Sequence, residues 1–132
     1  MKKLSFLTIC FVLFAAVMGF AQTSNNHTIT FLWTAPGDDG GVGTATTYDL
    51  RYSVDSVTLV GWSSAIQLTG EPTPHIAGSS ETFTTTITLL DDVKYFFAIK
   101  TADEKPNWSV ISNILTKTFT DTTPPAAIID LR

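Results

Sequence analysis

The sequence predicts an all-β protein in which two antiparallel sheets pack face to face as a β-sandwich. Apolar and polar residues alternate with a period of two in several short runs rich in Thr, Ile, Phe and Tyr, which is the pattern of half-buried strands. The segments between these runs are rich in Gly, Pro, Asp and Asn, and no window shows sustained helical periodicity. Short strands separated by turns in this way are typical of a two-sheet sandwich.

The four clearest strands each place their larger side chains on one face. These side chains are Ile29, Phe31 and Trp33; Tyr48, Leu50 and Tyr52; Phe83, Thr85, Ile87 and Leu89; and Tyr95, Phe97 and Ile99. Asp49 and Arg51 point to the opposite face of the second strand, and Lys100 to the opposite face of the last. From this alternation we expect Trp33, Leu50, Tyr95, Phe97 and Ile99 to be largely buried in the core.

Two weaker strands are predicted in residues 61–68 and 109–119, the second with an ambiguous register because its apolar residues occur as adjacent pairs. Residues 69–80, "TGEPTPHIAGSS", are too polar and too rich in proline for a strand. They are predicted to form a long connection between the two sheets.

The first 21 residues have the layout of a secretory signal peptide. Lys2 and Lys3 precede an apolar run over residues 4–20, and Gly19 and Ala21 supply the small residues of a cleavage site. A transmembrane anchor is the alternative, but it needs roughly 20 apolar residues and usually charged flanks. We therefore predict a secreted, extracellular protein with no membrane attachment after cleavage.

Charge and cysteine content limit the function classes further. Cleavage after Ala21 removes Lys2, Lys3 and no acidic residue, so six basic residues face twelve acidic ones and the formal charge changes from −4 to −6. An acidic surface repels phosphate backbones, which argues against nucleic acid as a partner. Cys10, the only cysteine, leaves with the signal, so the exported chain has neither a disulfide nor a thiol nucleophile.

Residues 22–120 resemble a fibronectin type III domain, a member of the immunoglobulin-like sandwiches, in the variety found in secreted bacterial proteins. Trp33 is followed by the loop "TAPGDDGGVGTAT", and "YDLRYS" matches the family's third strand. "LLDDVKYFFAIKTADE" matches the family's tyrosine corner, in which Leu89 precedes Tyr95 by six residues, and "SN" at residues 112–113 fits the final strand. The resemblance implies that Tyr95 binds upstream backbone and fixes the corner.

The chain departs from the family in three places. Asp91 stands where proline is frequent, and Trp108 stands where a smaller residue is usual. So few residues precede the strand of Ile29 that the family's first strand is missing. Residues 121–132, "DTTPPAAIIDLR", resemble a linker and the start of a following domain, cut short.

The stretch "PGDDGG", residues 36–41, leads into the 37–43 loop and invites comparison with known ion sites. Calcium loops place acidic residues at alternating positions, whereas Asp38 and Asp39 are adjacent and their side chains diverge. A phosphate-binding loop leads into a helix with a nearby Lys, whereas a strand follows here and the nearest basic residue is Arg51. The stretch is predicted to be a turn, with no metal or cofactor.

Catalytic residues are scarce. His27 is at a strand start and His75 lies in the long connection, while "GWSSA" at residues 61–65 lacks the last glycine and the following helix of a nucleophile elbow. The acidic pairs at residues 91–92 and 103–104 fall in turns. We predict a protein that is not an enzyme, without catalytic residues or a cofactor.

The resemblance implies a secreted, non-enzymatic module that acts as a spacer, in adhesion or in protein interaction. The alternatives are an accessory fragment of a larger secreted hydrolase and a small carbohydrate-binding module. Trp108 is the candidate ligand contact, for a protein or polysaccharide partner, unless it folds back and caps the core. A further hypothesis is weak self-association through residues 126–131, against a tail that stays extended beyond Pro124 and Pro125.

Overall fold

The computed structural model describes residues 22–56 and 61–132. Six strands follow in chain order: β1 (Ser24–Thr34), β2 (Thr47–Ser53), β3 (Ile66–Gln67), β4 (Ser80–Leu90), β5 (Lys94–Ala102) and β6 (Leu115–Thr118). A 3₁₀ turn, Trp62–Ser64, precedes β3. The predicted signal peptide, residues 1–21, lies outside the described residues.

The strands form two antiparallel sheets that pack against each other. One sheet contains β1 and β4, which pair along their whole length from Ser24↔Leu90 to Thr34↔Ser80. The other has the order β3-β2-β5-β6. The predicted all-β sandwich is therefore confirmed.

The core lies between the sheets and is built from the predicted alternating side chains. Its buried members are Ile29, Phe31, Leu50, Leu68, Phe83, Ile87, Leu89, Tyr95 and Phe97. Phe97 is 1% exposed and contacts the rings of Phe31 and Tyr52. Burial is confirmed for Leu50, Tyr95 and Phe97.

The prediction of largely buried side chains is wrong for Trp33 and Ile99, which are only partly buried. Both point inward, as the alternation requires, but both border cavities at the side of the sandwich next to β1. Within the described part of the chain no strand pairs with the outer edge of β1. The core is therefore open along that side.

Both weaker strands are shorter than predicted. In residues 61–68 only Ile66 and Gln67 form a strand, because Trp62 turns onto the outer face of the four-stranded sheet instead of joining the ladder. In residues 109–119 only Leu115–Thr118 form a strand.

The missing part of the final strand has a chemical cause. Residues 109–114 do follow the edge of β5, since Ser109 and Ser112 donate their backbone N–H groups to the carbonyls of Thr101 and Ile99. The return bonds, however, run from the N–H groups of Ile99 and Thr101 to the serine hydroxyl oxygens, both at 3.1 Å. Side-chain acceptors thus replace backbone carbonyls, and the regular ladder is interrupted.

Residues 69–79 form the predicted connection between the sheets. The backbone N–H of Leu50 binds the Glu71 carboxylate at 3.0 Å, which fixes the start of the connection to β2. Ala35 exchanges backbone hydrogen bonds with Ser79 and Gly78, which fixes its end to β1.

The two ends of the sandwich are defined by backbone contacts. At the Ala35 end, β1 ends, β4 begins, and the N–H of Thr46 binds the carbonyl of Ala102. At the opposite, Asp91 end, Asp91 and Asp92 donate to the carbonyls of Thr23 and Phe119.

None of the described helical residues forms a segment long and apolar enough to span a membrane.

Candidate functional site

The outer face of the four-stranded sheet carries a cluster of aromatic and charged side chains, which we call the tryptophan patch. Its members are Asp49, Arg51, Trp62, Lys100 and Trp108, and together they line a shallow cavity of about 280 Å³. The pairing Asp49↔Lys100 places the outward side chains of β2 and β5 next to each other. The 3₁₀ turn and the turn before residue 109 then bring the two indoles onto this face.

Asp49 organises the patch. Its carboxylate accepts hydrogen bonds from Nε of Arg51 at 2.9 and 3.1 Å and from Nε1 of Trp62 at 2.9 Å. Nη1 of Arg51 donates in turn to the carbonyl of Trp62 at 3.1 Å. Although Asp49 points away from the core, it is only 5% exposed, because these groups cover it.

Two cations lie near the Trp62 ring. The guanidinium carbon of Arg51 is 5.4 Å from the ring centroid, and the Lys100 ammonium nitrogen is 5.0 Å from it. Cations within about 6 Å of an indole face are attracted to its π-electrons. The Trp62 ring is therefore held in place by the hydrogen bond of its N–H and by both cations.

Trp108 is 47% exposed and lies at the rim of the patch. Its backbone forms a bridge with Ala102. The Asp103 carboxylate closes the preceding turn by accepting from the N–H of Lys105 and from the N–H and side-chain amide of Asn107, at 2.7–2.9 Å. These bonds, above all those from Asn107, lower the pKa of Asp103. The indole does not belong to the core clusters, and about half of Trp108 is exposed to solvent.

Trp108 also borders a second cavity, of about 260 Å³, which is lined by Pro36, Gly37, Asp38 and Gly40 as well. Trp108 therefore lines both the tryptophan patch and the cavity next to the glycine-rich loop. A half-exposed ring with hydrogen-bonding groups on one side is suited to stacking on a sugar ring or to holding an apolar side chain of a protein.

The glycine-rich loop is a tight turn, as predicted. Gly37 donates to the carbonyl of Gly40, while Asp38 and Asp39 both donate to the carbonyl of Val42. Burial, followed by repulsion from Glu104 and other neighbouring carboxylates, raises the pKa of Asp38. The described residues contain no group of three or more His, Cys, Asp or Glu side chains arranged to hold a metal ion.

His75 lies with a buried carboxylate rather than with a serine. Glu81, 1% exposed, is 2.7 Å from the backbone N–H of His75, 2.9 Å from its Nδ1, and 3.1 Å from the hydroxyl of Tyr48. Burial alone would raise the pKa of Glu81, but these hydrogen bonds outweigh it and lower the pKa. The cluster ties the long connection to β2 and β4.

His27 lies at the Asp91 end. Its Nε2 is 2.9 Å from Asp91, whose carboxylate also accepts from the side-chain amide of Asn25. The imidazole ring is 4.5 Å, centroid to centroid, from the ring of Phe119. Asp91 is thus a buried acceptor that joins β1 to the β4–β5 turn, which explains an aspartate at that position.

The sequence pattern indicates Trp108 as a candidate contact but not the rest of the patch. It predicts a strand at Trp62 and gives only an outward direction for Asp49, Arg51 and Lys100. The available signal was the outward direction of three charged residues on two strands that a sandwich places side by side. What brings Trp62 over them is a 3₁₀ turn, which the sequence pattern does not indicate.

Comparison with known proteins gives no match: no family model fits the chain, and no curated protein or solved structure is similar to it beyond chance. The assignment of a β-sandwich is therefore based on the strand pairing and on the core between the two sheets.

Proposed function

We propose that the protein is an exported, non-enzymatic module of the fibronectin type III kind that acts in adhesion or protein interaction, and that it binds its partner through the tryptophan patch. Two features support the family. The sheet composition, β1-β4 against β3-β2-β5-β6, is that of the family without its first strand. The Tyr95 hydroxyl accepts from the N–H of Leu90, five residues upstream, as a tyrosine corner requires.

The observation that carries the binding proposal is the position of Trp108. Large aromatic side chains dominate the binding energy of many interfaces, because they bury much area at little cost in conformational freedom. Trp108 offers such an anchor beside groups already held in place by Asp49.

The local charge favours a protein ligand with an acidic residue. Arg51 and Lys100 face only Asp49 within the patch, so the patch carries a net positive charge on an acidic protein. A peptide segment with an apolar side chain next to a carboxylate would place the apolar side chain on Trp108 and the carboxylate near Lys100. A polysaccharide is the second candidate, because Trp108 also presents a ring on which a sugar can stack.

The binding proposal is tested by selecting displayed peptides on the chain from Gln22 and then measuring their affinity for Trp108→Ala. We expect acidic peptides with an apolar anchor, and an affinity loss of about thirtyfold for Trp108→Ala, equivalent to about 2 kcal/mol. Ile76→Ala is the matched control, since Ile76 is an exposed apolar residue outside the patch. Equal affinity for wild type and Trp108→Ala would contradict the proposal.

The polysaccharide candidate is tested with cellulose, chitin and xylan in pull-down assays on the same three proteins. Retention of wild type and Ile76→Ala, but not of Trp108→Ala, would favour it over the protein ligand. Export is tested independently by N-terminal sequencing of the protein recovered outside the cytoplasm, where we expect Gln22 as the first residue.

A further inference from the structure

An open groove runs along the side of the sandwich between β1 and the final strand. It consists of two adjoining cavities of about 340 and 400 Å³, both bordered by Leu32 and Trp33 on one side and by Ser112 and Asn113 on the other. Core residues reach it, since Phe31, Leu50 and Phe97 line the first cavity and Ile99 lines both. The groove is thus an opening into the hydrophobic core.

The β1 side of the groove is an unpaired strand edge. In an antiparallel ladder, every second residue of a strand forms backbone hydrogen bonds with the partner strand. Ala35 and Thr23, which flank β1, form such bonds with residues that flank β4, so the odd-numbered residues of β1 are the ones that bond to β4. The N–H and C=O groups of Thr28, Thr30 and Leu32 therefore point away from β4, toward the open edge. Free edges of this kind are sites of strand addition.

This edge lacks the usual protection against pairing. In natural proteins, Lys, other charged residues or proline on an edge strand prevent it from pairing with another chain. β1 contains no Lys, Arg, Asp, Glu or Pro from Ser24 to Thr34, and it is straight enough to pair with β4 over 11 residues. No strand among the described residues covers its other side.

The same chain carries a segment whose pattern suits a strand added at this edge. Residues 126–131 belong to no helix or strand, and Ile128, Ile129 and Leu131 are 80%, 93% and 90% exposed. In an extended segment, Ala127, Ile129 and Leu131 lie on one face, and Ile128 and Asp130 lie on the other. The first face is entirely apolar and matches the groove.

The direction of the chain decides which molecule supplies this strand. The tail leaves β6 at the Asp91 end, where β1 begins, whereas a strand antiparallel to β1 must enter at the Ala35 end. β1 is about 35 Å long, and residues 120–125 span at most roughly 20 Å. The tail of one molecule therefore cannot reach the entrance of its own groove, but the tail of a neighbour can.

We propose that residues 126–131 of a second copy bind in this groove as a strand antiparallel to β1, with Ile129 and Leu131 directed into the core opening. The backbone of the added strand bonds to Thr28, Thr30 and Leu32, and its side chains cover Trp33 and Ile99. The groove and the tryptophan patch share Lys100 as a lining residue, but the added strand uses the edge of β1 and the core opening, so this inference does not depend on the proposed ligand.

The test compares three versions of the chain from Gln22, which contains every strand described above: wild type, Ile129→Asp and Ile128→Asp. The two substitutions introduce the same charge at neighbouring exposed positions, but only Ile129 faces the groove. Sedimentation velocity over a range of concentrations is expected to show a rising mass for wild type and Ile128→Asp. Ile129→Asp is expected to raise the dissociation constant at least about tenfold, because the bound strand would bury an unpaired charge.

Hydrogen exchange locates the contact. On association we expect protection of the N–H groups of Thr28, Thr30 and Leu32, and of residues 126–131. A wild-type chain that stays monomeric at every concentration would overturn the proposal, as would equal effects of the two substitutions, which would indicate unspecific association of an apolar tail. A monomer with a protected tail would place the strand in cis and would equally overturn it.

Discussion

The hydroxyl oxygen of Tyr95 accepts a hydrogen bond of 2.9 Å from the backbone N–H of Leu90 across the turn between β4 and β5. The Tyr95 ring lies in the core beside those of Tyr52 and Phe119. One side chain thus connects the core to the backbone of the turn that joins β4 of one sheet to β5 of the other.

We expect Tyr95→Phe to lower the free energy of unfolding by about 1 kcal/mol, the typical net contribution of one hydrogen bond, since the ring packing is retained. Urea denaturation measures this loss. Tyr52→Phe is the matched control, because no hydrogen bond to the Tyr52 hydroxyl is found within the described residues, and it is expected to change stability by less. Equal losses in the two variants would show that the Leu90 contact contributes nothing.

The second prediction concerns the opening of the core. Phe97→Ala should cost about 3–5 kcal/mol, since Phe97 is almost fully buried. Trp33→Ala should cost distinctly less despite the larger ring, because the groove already exposes part of the indole. Urea denaturation of both variants tests the order, and a larger loss for Trp33→Ala would show that the groove is closed in solution.

The four long strands could be predicted from the sequence because alternation reports which face of a strand is buried. The alternation of apolar and polar residues does not indicate whether another strand pairs with a given strand's edge. It therefore could not show that Trp33 and Ile99 border a groove. It failed for residues 61–68 because Trp62 is stabilised by Asp49, Arg51 and Lys100, which are distant in sequence. It failed for residues 109–114 because serine hydroxyls replace backbone acceptors.

The third prediction tests the glycine-rich loop. A Cβ added to Gly37 would lie 2.2–2.7 Å from backbone atoms of Val42, whereas one added to Gly41 meets nothing within 4 Å. Gly37→Ala must therefore displace the turn, and we expect a loss of about 1–3 kcal/mol. Gly41→Ala is the control and should be close to neutral. Similar thermal melting of the two variants would mean that the turn adopts another conformation.

The fourth prediction concerns acid. Hydrogen bonds hold the pKa of Glu81 below its ordinary value of 4.5, so the folded state favours the charged carboxylate. Its stabilising contribution is complete above the unfolded value and is lost as the pH falls through the lower, folded pKa. Stability should therefore decrease on acidification below about pH 4.5, and Glu81→Gln should make this decrease shallower while costing about 1–3 kcal/mol at neutral pH. Urea midpoints measured across the acid range would contradict this if both proteins had the same slope.

The last prediction tests whether Asp49 holds the tryptophan patch in place. Its carboxylate accepts from both Arg51 and Trp62. Asp49→Asn removes the charge that pairs with Arg51 and replaces one acceptor oxygen with an NH₂ donor, so the bonds that hold Arg51 and Trp62 become weaker. We expect a stability loss of about 1–3 kcal/mol and a Trp62 ring that is more accessible to acrylamide.

Fluorescence quenching in a Trp108→Phe background observes Trp62 with Trp33 as a constant contribution. Among the described residues Asp49 forms no hydrogen bond with Trp108, and Asp49→Asn makes the patch more positive, which by itself would strengthen the binding of an acidic peptide. Weaker binding of a peptide selected on the wild type would therefore show that the ordered Trp62 surface contributes to recognition. Increased quenching with unchanged affinity would restrict the binding role to Trp108 alone. Unchanged quenching would show instead that Arg51 and Lys100 hold the Trp62 ring without the carboxylate.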